Sequence, residues 1–316
     1  LINYTKRMSK TPLWKPANVD TGLTKYINFL KKNKLHQFTN YEELHQWSVD
    51  KKNLFWKSIW DFTNFIGEYA NPVIKNEDNL FSSKFFINAK LNYTKNILCK
   101  NNDENAVVFY SERGHHRNVS WKELKNKTNK FANFLIQRGI KRGDRVAAVL
   151  PNIPETVVAF LASAKIGAIW SSCSADFGPQ AVIDRFKQIS PKALIVSDCY
   201  SYNNKTINTL TKEKKILKAI SSIEVMVVVP FHEIKLYQEP EFIYESWISI
   251  MHNFDELVEE ENFEFNIPLY ILYSSGTTGP PKCIVHGAGG SLLQHKKEHL
   301  LHCNMNENTK IFYFTT

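Results

Sequence analysis

The chain has 316 residues, of which 43% are hydrophobic and 13% aromatic, and it carries a formal net charge of +9. These values are typical of a globular protein with a large core and exclude a disordered chain. The positive charge does not indicate a nucleic-acid-binding protein, because 33 of the 40 basic residues are lysines spread along the chain. No basic helix and no alternation of basic and aromatic residues occurs.

Cysteine usage and hydropathy indicate the compartment. The five cysteines are scattered and form no CxxC pair, which argues against a disulfide framework and against a zinc site. The first ten residues lack the apolar core of a signal peptide, and the apolar run 225–230 is too short to span a bilayer. We therefore expect a cytosolic protein with no membrane span.

Residues 1–105 are predicted to form a helical N-terminal region. Helices are expected over residues 23–32, 41–47 and 53–65. In the third helix the apolar residues recur at helical spacing, at Phe55, Ile59, Phe62 and Ile66. Such a stripe predicts a helical layer packed on the domain that follows.

Residues 106–316 are predicted to form the second domain, in which strands and helices alternate. Strands are expected over 106–110, 145–150, 168–172, 193–197 and 224–230. Helices are expected over 120–138, 155–165, 180–188 and 211–220, the first opened by a capping box from Ser120 to Glu123. This alternation predicts an α/β fold with a parallel sheet covered on both faces.

The last third of the chain departs from that alternation. Residues 231–264 are acidic and are expected to form a solvated helix face or a loop without chemistry. The apolar run 269–273 predicts a strand buried on both faces, and 283–286 the returning strand of a hairpin. A helix is then expected from Gly287 to about Cys303, followed by a strand over 310–314.

The segment between the two hairpin strands has the composition of an anion-binding loop. It contains Ser274, Ser275, Gly276, Thr277, Thr278 and Gly279, then Pro280, Pro281 and Lys282. Glycine lets a ligand approach the backbone, and hydroxyl and N–H groups donate to anionic oxygens. Ligands of parallel sheets bind at the carboxyl ends of the strands, where this loop is expected. We predict that it holds a polyphosphate, with Lys282 supplying a positive charge.

Other motifs are weaker. The loop is not a Walker A sequence, because Pro281 stands where the second glycine belongs, and no GxGxxG fingerprint occurs. His295 to His299 match the H-x-x-E-H spacing of inverted zincins. A solvent-facing polar helix is the favoured explanation, because a zincin needs another carboxylate ligand well downstream and only 17 residues follow His299. The GxSxG motif of serine hydrolases does not occur in the sequence. Asp176 could either cap the helix that follows it or contact a ligand.

Several segments together resemble the acetoacetyl-CoA synthetase branch of the adenylate-forming acyl-CoA synthetases. These are LHQWSV, FWKSIWDF, RGDRVAAVLPNIPE, GAIWSSCSADFG, LYSSGTTGPPKCIVHGAGG and FYFTT, and the resemblance extends over essentially the whole length of the chain. WSSCS followed by DFG is similar to the acetoacetate branch more than to the acetate branch. The resemblance implies a truncated, parallel-sheet N-terminal domain of the adenylate-forming fold with a helical N-terminal layer.

The resemblance also implies an activity. Acetoacetate would be activated by ATP to acetoacetyl-adenylate and then transferred to CoA, with AMP and pyrophosphate released and Mg²⁺ as cofactor. Residues Ser274 to Lys282 would bind the ATP phosphates. Asn204 and Lys205 would lie near the CoA nucleotide, although only Lys205 clearly matches the related stretch.

The same resemblance places the adenylation lysine, and the adenine, ribose and Mg²⁺ ligands, beyond Thr316. We therefore expect the 316 residues alone to be inactive and their sheet to have an unpaired edge. Two alternatives remain open: a non-catalytic nucleotide-binding fragment, and an acyl-CoA synthetase for another short-chain acid. The expected partners are small-molecule substrates and not nucleic acid, and the sequence gives no oligomeric state.

Overall fold

The computed structural model describes residues 20–114, 116–231, 242–255, 258–274 and 279–313. The chain divides into two compact units. The first comprises Leu1–Asn64 with Leu293–Thr316, and the second comprises Phe65–Leu292. The predicted domain boundary at residue 105 separates two regions of the sequence, whereas these units are defined by contacts within the fold. The predicted boundary therefore stays a prediction.

The first unit is helical, as expected. Its helices are α1 (Gly22–Lys32), α2 (Tyr41–Asp50) and α3 (Lys52–Phe62). Tyr26 and Ile59 are fully buried in its core, where the Tyr26 hydroxyl lies 2.6 Å from the Ser58 hydroxyl. A side chain at Gly22 would lie 1.7 Å from the Leu300 carbonyl oxygen, so the start of α1 requires glycine.

Short elements open the second unit and carry it to the main sheet. Their bounds are β1 (Ile74–Lys75), β2 (Lys84–Phe85), β3 (Lys90–Leu91), α4 (Tyr93–Ile97), β4 (Asn105–Tyr110) and β5 (His116–Ser120). The strands β1 and β2 pair antiparallel, as do β4 and β5.

The expected alternation of strands and helices follows. The elements are α5 (Trp121–Gln137), β6 (Arg145–Leu150), α6 (Pro154–Lys165), β7 (Ile169–Ser174), α7 (Pro179–Ile189), β8 (Ala193–Ser197), β9 (Cys199–Tyr202), β10 (Lys205–Asn208), α8 (Leu210–Ala219) and β11 (Val225–Val229). The capping box of α5 is confirmed: the Glu123 N–H donates to the Ser120 hydroxyl, and the Ser120 N–H donates to the Glu123 carboxylate.

The remaining elements complete the sheet and lead into the first unit. They are β12 (Glu245–Ser246), α9 (Trp247–Asn253), β13 (Phe263–Glu264), β14 (Pro268–Tyr273), β15 (Cys283–Gly287), α10 (Ala288–Lys297) and a π-helical turn (Glu298–His302). Trp247 and Ile250 of α9 are buried. This part of the segment 231–264, for which a solvated helix face or a loop was expected, is therefore a helix with one face packed in the core.

The main sheet has seven strands in the order β12-β11-β8-β6-β7-β14-β15. All neighbouring pairs are parallel except β14 with β15, which form the predicted antiparallel hairpin. The three strands β6, β8 and β11 are rich in Val, Ala and Leu and are buried along almost their whole length, as expected for parallel strands covered on both faces. The predicted α/β fold with a parallel sheet is confirmed.

Two predictions about strands are wrong. Strand β14 is not buried on both faces: Leu269 and Ile271 are buried, but Leu272 is 47% exposed. The strand lies next to the sheet edge, where the described residues cover one face only. The expected strand over 310–314 is also absent, because residues 310–313 pair with no described strand and Phe312 is 88% exposed. Phe314 lies outside the described residues.

Candidate functional site

The predicted phosphate loop connects β14 to β15 at the carboxyl end of β14. The Ser274 N–H donates to the Lys282 carbonyl oxygen at 3.0 Å, and the Lys282 N–H donates to the Ser274 hydroxyl at 2.9 Å. These two hydrogen bonds close the base of the loop. Ser274 therefore has a structural part in the loop, which its hydroxyl chemistry alone does not reveal.

The tip of the loop, with Ser275, Gly276, Thr277 and Thr278, lies outside the described residues. On its exit side Gly279 has a φ of 151°, a value that residues with a side chain rarely adopt. Glycine is thus required where the loop turns back toward Lys282, in agreement with the sequence prediction.

Helix α7 holds the exit of the loop. The Gln188 Nε2 group donates to the Pro281 carbonyl oxygen at 2.9 Å, and the Cys283 thiol lies 3.6 Å from the Gln188 Oε1 atom. Between helix and loop runs an open groove of about 630 Å³. It is lined by Gln180, Ile183, Asp184, Lys187 and Gln188 of α7 and by Gly279, Pro280 and Pro281 of the loop.

A cation lies beside the strand that enters the loop. The Arg185 guanidinium is 5.0 Å from the centre of the Phe177 ring and 5.8 Å from the centre of the Tyr273 ring. The Tyr273 hydroxyl lies 3.0 Å from the Ser171 hydroxyl, which also donates to the Ile271 carbonyl. Burial raises the pKa of Tyr273, so its hydroxyl stays neutral at ordinary pH.

The SADFG turn after β7 is fixed from helix α8. The Lys212 ammonium donates to the carbonyl oxygens of Ala175, at 2.6 Å, and Phe177, at 3.2 Å. Asp176 does not cap α7, because Gly178 is the N-cap residue and no side chain bonds there. The side chain that fixes this turn is Lys212, which the sequence analysis did not single out.

Next to Lys212, the Glu213 carboxylate is fully buried. Neither of its oxygens has a hydrogen-bond partner among the described residues, and the Lys212 ammonium is 3.7 Å away. Burial raises the pKa of Glu213 to about 8, although the Lys212 charge acts in the opposite direction. Its position could have been found in the sequence, since Glu213 stands three residues from both Leu210 and Ile216, on the buried stripe of α8.

The predicted CoA contacts lie on a hairpin at the same end of the sheet. Asn203 and Asn204 form the turn between β9 and β10, with φ values of 50° and 59°. Their N–H groups donate to the Glu112 carboxylate at 3.1 and 3.3 Å. Lys205 follows and is exposed. Two adjacent N–H groups form an anion-binding turn, and here a carboxylate of the chain itself occupies it.

Comparison with known proteins identifies the family. The family model described as AMP-binding enzyme matches residues 98–311, which is more than half of the chain. The chain belongs to the AMP-binding enzyme family.

Several acyl-CoA synthetases within this family are similar to nearly the whole chain. The acetoacetyl-coenzyme A synthetase of Rhizobium meliloti is 38% identical over 98% of this chain and 48% of its own length. A malonamoyl-CoA synthetase of Penicillium aethiopicum is 32% identical over 96% of this chain and 44% of its own length. The solved structure of an acetoacetyl-CoA synthetase from Streptomyces lividans superposes with a TM-score of 0.87 at 32% identity, over 93% of this chain and 46% of that one.

The chain thus spans about half the length of the curated relatives that it matches. The solved neighbour confirms the adenylate-forming fold of the described residues. Among those residues, no helix is long and apolar enough to cross a membrane. All five cysteines are unpaired.

Proposed function

We propose that the chain supplies the ATP-phosphate-binding part of an AMP-forming acid–thiol ligase that converts acetoacetate to acetoacetyl-CoA. The observation that carries this proposal is the loop Ser274–Lys282, closed at its base by two hydrogen bonds at the carboxyl end of a strand that lies parallel to β7. The names of the relatives, acetoacetyl-CoA synthetases at 36–38% identity, suggest the acid.

The proposed reaction has two steps. A carboxylate oxygen of acetoacetate attacks the α-phosphorus of ATP, the bond from that phosphorus to the bridging oxygen breaks, and pyrophosphate leaves. The CoA thiolate then attacks the carbonyl carbon of the adenylate, and AMP leaves with the electron pair. Adenylation is needed because a bare carboxylate has no acceptable leaving group.

The residues of this chain would act by position and charge. The N–H groups and hydroxyls of the loop, with Lys282, would hold the β- and γ-phosphates so that attack is in line and the charge on the departing pyrophosphate is neutralised. Loss of one such donor costs about 10²-fold in rate. Gln188 keeps the loop exit against α7, and Asn204 and Lys205 are proposed to meet the CoA nucleotide.

Mg²⁺ is proposed as the counter-ion that ATP brings with it. Within the described part of the chain, no group of three or more His, Cys, Asp or Glu side chains is placed to hold a metal ion. We also propose a cytosolic location, which the unpaired cysteines support.

The acid is tested by ATP–pyrophosphate exchange with acetoacetate, acetate and malonamate, measured on the native gene product. We expect acetoacetate to support exchange at least about tenfold faster than the others, a difference in transition-state binding of about 1.4 kcal/mol. Faster exchange with malonamate or acetate would assign the chain to a synthetase for another acid. The 316 residues alone are assayed in parallel, and we expect no exchange from them.

If no acid supports exchange, the alternative of a non-catalytic nucleotide-binding protein is tested by thermal unfolding with and without ATP. A ligand that binds only the folded state raises the unfolding temperature. A rise without exchange would favour the binding protein, and no rise would contradict both proposals.

A further inference from the structure

A second cationic cavity lies in the second unit, away from the phosphate loop. It has a volume of about 230 Å³, and three lysines from three helices line it: Lys95 of α4, Lys125 of α5 and Lys165 at the end of α6. Glu260, Asn129, Thr94 and Cys99 are the other polar residues that line it.

The scaffold of the cavity is fixed by buried hydrogen bonds. The Asn92 side-chain amide donates to the Lys165 carbonyl and to the Glu261 carbonyl, both at 2.9 Å. The Thr94 hydroxyl donates to the Leu161 carbonyl at 2.6 Å. These bonds hold α4, the end of α6 and the segment around Glu260 together, so the lysine stems start from ordered backbone.

Lys165 is the unusual member of this set. It is 8% exposed, and within the part of the chain that the structure describes its ammonium has neither a hydrogen bond nor an ion pair. Burial lowers the pKa of Lys165, Glu260 raises it, and the neighbouring charges of Lys125 and Lys95 lower it again. Lys95, Lys125 and Lys165 line the same cavity, so their positive charges act on one another. The stem of Lys165 is buried and the residue lines the cavity, so an anion in the cavity would lie within reach of its ammonium group.

The charge of the cavity is not balanced by its own residues. Glu260 is occupied by Lys95, whose ammonium lies 2.7 Å from its carboxylate. Three ammonium groups against one carboxylate leave two positive charges. Inorganic phosphate carries between one and two negative charges at neutral pH, and it accepts several charge-assisted hydrogen bonds at once.

We propose that Lys125, Lys165 and Asn129 form a binding site for a phosphoryl anion that is separate from the phosphate loop. The anion would accept from the ammonium groups of Lys125 and Lys165 and from the Asn129 amide, whereas the Lys95–Glu260 ion pair is neutral and adds no net charge. A carboxylate would leave one positive charge uncompensated and is the weaker occupant. This inference does not depend on the proposed synthetase activity.

The test is isothermal titration of the 316-residue chain with inorganic phosphate, at constant ionic strength set with sodium chloride. We expect saturable binding that Lys165→Met and Lys125→Met each weaken by about tenfold or more, as expected when a charge-assisted contact is lost. Lys127→Met, on the same helix but lining a different cavity, is the matched control and should change the affinity by less than about twofold. Methionine keeps the length of the stem, and unfolding temperatures without phosphate show whether each variant folds.

Two further titrations distinguish this phosphoryl site from binding at the phosphate loop and from binding of any small anion. Because the phosphate loop is proposed to bind phosphates as well, the titration is repeated in Lys282→Met, where the saturable binding that depends on Lys125 and Lys165 should remain. Loss of all saturable phosphate binding in Lys282→Met, with none lost in Lys165→Met, would place the anion at the phosphate loop. Acetate should bind at least about tenfold more weakly than phosphate. Absence of saturable phosphate binding in the wild-type chain, or equal binding of acetate and phosphate, would overturn the proposal.

Discussion

At the scale of single residues, the buried carboxyl group of Glu213 makes the stability of the fold depend on pH. Its carboxyl group is buried on α8 with no hydrogen-bond partner among the described residues. Burial raises its pKa to about 8, whereas an exposed glutamate in the unfolded chain titrates near pH 4.3. Between these two values the folded state keeps a proton that the unfolded state releases.

We therefore predict that the free energy of unfolding falls as the pH rises from about 4.3 to 8, by up to about 1.4 kcal/mol per pH unit, and levels off above that window. Glu213→Gln removes the titration. The variant should unfold at a higher temperature than the wild type at pH 8.5, and the difference should shrink toward pH 5. Thermal unfolding across this range checks the prediction.

Glu42→Gln, at an exposed position of α2, is the control and should follow the wild-type pH dependence. If the stability of Glu213→Gln also showed the wild-type pH dependence, the prediction would be contradicted, and the carboxyl group of Glu213 would have to be solvated or hydrogen-bonded in solution.

From the sequence we could identify residues whose side-chain chemistry suggests phosphate binding. Residues whose role depends on a contact with a distant part of the chain were missed. The predicted loop residues Ser274, Gly279 and Lys282 meet at the loop base and exit, while the role of the tip residues stays a prediction. Gln188 and Lys212 were missed because each acts on a backbone carbonyl, of Pro281 and Phe177 respectively, that lies far away in the sequence. No local spacing encodes such a contact.

At the scale of elements, the β9–β10 hairpin has an anion-binding turn that a carboxylate of the same chain occupies. The Glu112 carboxylate accepts from both N–H groups of the turn. It thus occupies the position where a phosphate of CoA is proposed to bind. A ligand phosphate would have to displace it and would be repelled by it.

We accordingly expect Glu112→Ala to raise the affinity for CoA by about three- to tenfold, because a competing negative charge is removed from an exposed site. Isothermal titration with CoA measures the change. Glu224→Ala, an exposed glutamate away from both hairpins, serves as the control. Unchanged or weaker CoA binding by Glu112→Ala would contradict the placement of CoA at Asn204 and Lys205.

The elements themselves were largely predictable, since their periodicities are strong. The strands Arg145–Leu150 and Ala193–Ser197 have the predicted bounds, and the capping box places the start of α5 correctly. The errors occur at the sheet edge. An apolar run such as Leu269–Tyr273 indicates a strand but not how many of its faces are covered, and a strand at 310–313 needs a neighbour that the described residues do not provide.

For the whole molecule, the parallel sheet brings three separate segments to one end. In the main sheet the SADFG turn follows β7 and the phosphate loop follows β14, and the β9–β10 hairpin, which forms a separate two-stranded sheet, follows the carboxyl end of β8. Ligands of parallel sheets bind at this end. The sequence predicted this arrangement from the alternation of strands and helices, but it could not predict that Arg185 would lie between the Phe177 and Tyr273 rings and connect the first segment to the third.

The central claim is that the loop Ser274–Lys282 binds the phosphates of ATP, and titration of the chain with ATP tests it most directly. The wild-type chain should bind ATP saturably, and Lys282→Met should weaken binding by about tenfold, since one charge-assisted contact to a phosphate is lost. Lys122→Met, an exposed lysine at the start of α5, should retain the wild-type affinity. Equal ATP affinity of Lys282→Met and the wild type, or no ATP binding by either, would contradict the account.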